Sequence, residues 1–219
     1  MDDIRAGYAG RTGARAEAST ATLLGQVMFL VAIAIGFLVV GSYVGRDLAI
    51  GTARILGFAG FGMLIASSFA GDRLRVGALA IGWLYATALV IGLGLGPILA
   101  YFVANEPSAI TQAAGGTALI VLGMGALGFC LSKDLAPWMR PLSLIVFGAV
   151  IVSFVLVMFS SGGSPIVSII IGGLSALLIT VDFNYLRKHG TEADAVWLAT
   201  GIFVSIINIF LALLNIFSD

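Results

Sequence analysis

The stretch at 177–189, Leu-Leu-Ile-Thr-Val-Asp-Phe-Asn-Tyr-Leu-Arg-Lys-His, sets an aspartate near the end of a long apolar run, with a basic cluster one to two turns beyond it. An ionisable side chain in hydrocarbon is expensive, so Asp182 is expected to face protein or a water-filled cavity. Two readings fit. Asp182 is either an interfacial residue that pairs with Arg187 or Lys188, or part of a site that responds to protons or cations. Further on, Ser205, Asn208 and Asn215, with Ala212 as the small member, recur at a spacing of three and four and share one helical face. Such a stripe hydrogen-bonds across a helix bundle, so structural glue is its simplest role.

Other chemistry is scarce. The lysines, Lys133 and Lys188, fall in connections, which excludes a retinal-type Schiff base within a helix. A haem or dinuclear metal site needs several histidines, and His189 is the single one. The Ser160-Ser-Gly-Gly-Ser164 turn lies at the opposite end from His189, which leaves a serine nucleophile without a base. No Gly-Lys-Ser/Thr phosphate loop is present. Cys130 is alone, so no disulfide forms within the chain. An enzyme and a resident cofactor are therefore not expected. A net charge of zero argues against nucleic acid as a partner.

The elements that carry these residues follow from composition. Of the 219 residues, 60% are hydrophobic and 10% charged, and the mean hydropathy is +1.11. A soluble domain carries about 25% charged residues, so this chain cannot cover a globule in water. Continuous apolar runs predict an all-α membrane protein with seven spans, at about 22–44, 49–70, 76–103, 109–131, 141–160, 165–186 and 195–217. The first run is too long for a signal peptide. Residues 1–20 read as a flexible tail and 21–219 as one transmembrane domain.

Seven spans put Arg5, Arg11, Arg15, Arg73, Arg75, Lys133, Arg140, Arg187 and Lys188 on one side and Arg46 and Arg54 on the other. Cytoplasmic loops retain basic residues, which predicts the N-terminus inside and the C-terminus outside. Arg54 reads as a snorkelling residue. Many of the 29 glycines lie within spans, Gly41, Gly45, Gly92 and Gly96 among them, and small residues dominate contacts where lipid offers no hydrophobic drive. The run Gly92-Leu-Gly-Leu-Gly-Pro-Ile-Leu99 adds Gly94 and Pro97, a combination able to loosen or kink the third span as well as pack it.

Three segments in order are similar to the Bax inhibitor family of seven-span membrane proteins. Gly92 to Leu99 resembles its third-span Gly-Pro signature. Ser132-Lys-Asp-Leu-Ala-Pro-Trp138 resembles its Lys-Asp-Leu stretch. Val181-Asp-Phe-Asn184, followed by Val204-Ser-Ile-Ile-Asn-Ile-Phe-Leu-Ala-Leu-Leu214, resembles its sixth- and seventh-span motifs. The likeness extends from about residue 20 to the end. It implies a bacterial inner-membrane protein in which six spans surround a central seventh. It also implies a pH-gated, calcium-permeable leak. In that pattern an aspartate on each of the last two spans shares a proton, and an arginine at the inner end of the second span latches the closed form. Asp182 matches the first aspartate, and Arg73 is the best match to the latch, with Arg75 next.

The chain departs from this pattern at the second acid, where it has Ser205, and at the tyrosine before the first, where it has Val181. A hydroxyl hydrogen-bonds a carboxylate but cannot share its charge, so the paired-carboxylate switch is degenerate. The implied site is Asp182, Ser205, Arg73 and Asn208, with Asp182 as a transient calcium ligand. The competing expectation is a non-transporting accessory subunit of a larger membrane complex, or a partner of a membrane quality-control protease.

Overall fold

The computed structural model describes residues 2–69, 71–74, 76–159 and 165–218; the side chains of 1–18, 68–69, 72–73 and 154–159 lie outside that description. Among the described residues the chain forms seven long α-helices, two single-turn 3-10 helices and no strand. The long helices are α1 (Asp2–Gly45), α2 (Ile50–Phe69), α3 (Ala78–Asn105), α4 (Pro107–Cys130), α5 (Ala136–Phe159), α6 (Pro165–Lys188) and α7 (Ala195–Phe217). Each is long and apolar enough to cross a membrane, α1 through its Ser19–Gly45 part. The tail expected over 1–20 has nearly all its side chains outside the described residues.

Local signals explain the boundaries. Glu106 alone separates α3 from α4. Pro107 and Pro165 each open a helix, where the missing N–H costs no bond and the fixed φ suits the first turn. Most helix ends fall within two residues of the sequence reading; the larger differences are α1, which reaches back to Asp2 through the stretch read as a tail, and the start of α5. The fifth helix begins at Ala136 rather than about 141: Pro137 falls in its first turn, where the missing N–H costs no bond, and the helix continues through Pro141. The sixth runs through Arg187 and Lys188, whose cations suit the C-terminal end of a helix.

The packing starts from close backbone approach. α3 lies against both α1 and α2. A methyl group on Gly92 would collide with the backbone of Leu38, and one on Gly96 with that of Gly45 and Arg46. Gly94 meets the backbone of Ala53 and Gly57 on α2. The glycine run is therefore the contact surface of α3 on two neighbours, and the helix continues unbroken through Pro97. Packing, one of the two roles expected for this run, is what Gly92, Gly94 and Gly96 supply here.

The main core lies among α1, α3, α6 and α7, where Val27, Leu84, Ile179, Leu186, Ile202 and Phe203 are fully buried. α6 and α7 are the most enclosed helices, and α2 and α5 the least. α7 packs on α6, α4 and α1, while α5 packs on α6.

Candidate functional site

Asp182 sits on α6, six residues before the helix ends, and is 7% exposed. It lines a cavity of about 350 Å³ bounded by α2, α5, α6 and α7. Gly201 of α7 faces it: a methyl built on that glycine would lie 3.5 Å from Asp182 Oδ2. Ser205, one turn further along α7 and 2% exposed, lines the same cavity. So does Asn208, whose Nδ2 donates to Ser175 Oγ of α6 at 3.2 Å. The structure thus gathers Asp182, Ser205 and Asn208 on one wall. Among the described residues, Asp182 makes no hydrogen bond or ion pair.

The alternative pairing with the basic cluster is not found. The Arg187 guanidinium donates to the Leu131 carbonyl at 2.5 Å, and Lys188 Nζ donates to the Ser132 carbonyl. Both cations are used on carbonyls of the α4–α5 connection, just past the end of α4. Arg73 lies in the 3-10 turn Gly71–Leu74, and its side chain is outside the described residues. Its neighbour Leu74 lines the cavity. Arg75 lies outside the described residues. Asp194 is engaged elsewhere, accepting from the Thr191 hydroxyl at 2.7 Å and the Thr191 N–H at 3.0 Å.

A second cavity of about 190 Å³ adjoins this wall, lined by Ser153, Ser168, Ile171 and Ala212. Val150 and Asn208 line both cavities. From Trp197 to Ala212 the two follow α7 for roughly 22 Å at 1.5 Å per residue, a large part of a hydrocarbon core about 30 Å thick.

The α4–α5 connection is fixed to the end of α6 by a residue that the sequence reading gave no role. Asn184, fully buried, donates through Nδ2 to the carbonyls of Gly128, Leu131 and Lys133 at 3.1–3.2 Å. Its Oδ1 accepts the Leu135 N–H at 2.9 Å. His189 Nε2 lies 2.8 Å from Asp134 Oδ2 at the surface. The Ala136 N–H and then His189 hold the Asp134 carboxyl below its ordinary range.

Gly201 was also missed. It stands four residues before Ser205, so the small and polar stripe on α7 already pointed to it. Phe61 of α2 and Phe147 of α5, stacked with centroids 5.4 Å apart, could not have been paired from sequence.

One carboxyl, one hydroxyl and one amide on a cavity wall can exchange a proton or replace part of a cation's hydration shell. Fold and site together define a seven-helix membrane protein with a buried acid at an internal cavity. The family model described as Inhibitor of apoptosis-promoting Bax1 matches residues 20–219. The chain belongs to that family, the Bax inhibitor family. It is also similar to an uncharacterized membrane protein of Vibrio cholerae, 29% identical over 139 residues, with 61% of each chain covered.

Proposed function

We propose that the chain is a pH-responsive cation leak channel, calcium being the family's expected ion, in a bacterial inner membrane, with its basic end in the cytoplasm. The observation that carries this reading is the buried carboxyl of Asp182, which meets no cation among the described residues and opens into a cavity that continues past Asn208. A charged carboxylate there attracts cations and a protonated one does not, so proton binding sets conductance. Ser205 supplies a hydroxyl where the family pattern has a second acid, so a single acid, rather than a coupled pair, does the switching. Purified protein in proteoliposomes tests this. Cation flux from the lone chain supports the leak. A chain that is silent alone and co-purifies stoichiometrically with a larger complex points to the accessory role instead.

A further inference from the structure

We infer that the Asp182 cavity is a binding site for lipophilic amines that enter from the side of the bundle, with the ammonium on the Asp182 carboxylate and the hydrocarbon tail between α2 and α5. At about 350 Å³ the cavity falls within the ~300–1,000 Å³ range of small-molecule sites. Its walls are chiefly apolar, and Asp182, more than nine-tenths buried, is the acid among its described lining residues.

Three features select a cation with an apolar tail. A buried carboxylate that meets no cation among the described residues favours a ligand that brings the charge. Ser205 and Asn208 beside it offer oxygen acceptors to the remaining ammonium protons. The rings of Phe61, Phe147 and Trp197 border the same space, and aromatic faces attract ammonium groups and pack hydrocarbon.

The route in is lateral. α2 packs on α3 and α5 on α6, and the Phe61–Phe147 stack spans the gap between α2 and α5. Leu144 lines the cavity and is 69% exposed, so the wall continues onto the outer, apolar face of the bundle. An amphiphile dissolved in the bilayer reaches that face directly.

The inference uses the cavity but not the leak, and binding is read without flux. The full chain in zwitterionic nanodiscs is titrated with N-benzyloctylamine and, separately, with its neutral counterpart N-benzyloctanamide, following Tm and heat of binding against empty discs. The amine is expected to raise Tm and bind saturably, and the amide to do neither. Asp182→Asn should weaken amine binding by roughly thirtyfold or more, the loss expected when one partner of a buried charge pair is removed. Phe147→Ala should weaken it without abolishing it. If the variants fold poorly, the amine–amide comparison on the unmutated protein still decides. Equal behaviour of amine and amide, or unchanged amine affinity in a folded Asp182→Asn protein, overturns the inference. A protein that binds the amine but passes no ions sinks the leak and leaves this site standing.

Discussion

Gly201 of α7 presses its bare Cα side toward the Asp182 carboxylate of α6, leaving room for a methyl group at 3.5 Å. That distance is ordinary van der Waals contact. Gly201→Ala should therefore fold normally and gain up to about 1 kcal/mol of helix stability. The added methyl removes open space beside the acid. Ion flux should fall severalfold while Tm holds or rises, a separation that a thermal melt and a liposome assay on the same preparation will show.

Asn184 places a stronger demand on the fold. Its side chain satisfies three carbonyls and one N–H of the α4–α5 connection. Asn184→Leu removes these bonds and leaves the buried Gly128 carbonyl contact unmade, while Leu131 keeps its bond from Arg187, at a cost of about 1–3 kcal/mol. Asn184→Asp loses the donors and sets a carboxylate against carbonyl oxygens, so it should be at least as damaging. A denaturant titration in mild detergent checks both; wild-type stability in the leucine variant would deny the clamp.

The glycine contacts of α3 give a paired test. Gly92→Ala drives a methyl into the backbone of Leu38, whereas a methyl on Gly82, on the same helix, meets nothing within 4 Å. The first substitution should cost about 1–3 kcal/mol by overpacking. The second should be neutral or slightly stabilising. Equal effects on Tm would show that α1 and α3 do not meet at Gly92.

Asp134 supplies a pH dependence outside the membrane. Its carboxyl is held low by the Ala136 N–H and by His189, so its folded pKa lies below the unfolded one. The stabilisation is present above the unfolded value of about 3.9 and is lost as pH falls through the folded value. Hydrogen exchange at Ala136, whose N–H donates to Asp134 Oδ1, should rise below roughly pH 4. In Asp134→Asn that acid-dependent step should disappear.

Much of the fold was legible because hydrocarbon is so restrictive a solvent: seven apolar runs became seven helices, with most ends within two residues of those expected. The shifts have local causes. Residues 136–140 read as a loop because of Pro137, Arg140 and the adjoining Pro141, yet Pro137 in the first turn breaks no bond and the helix runs on through Pro141. Arg187 and Lys188 also read as a loop because they are charged, yet carbonyls more than fifty positions earlier in the chain receive them. Partnerships at that separation leave no periodic trace, and the same holds for Asn184 and for the Phe61–Phe147 stack. The wall of the site was readable, since Asp182 stood out by cost and Ser205 and Asn208 by spacing. Gly201 belonged to the same spacing but carries no side chain to attract notice.

The sharpest test is cation flux into proteoliposomes between acid and neutral pH, with wild type beside Asp182→Asn. The wild-type protein should conduct more as the acid loses its proton, and the asparagine variant should show low flux with no pH dependence. An Asp182→Asn protein whose flux and pH profile match wild type would contradict the assignment of Asp182 as the switch.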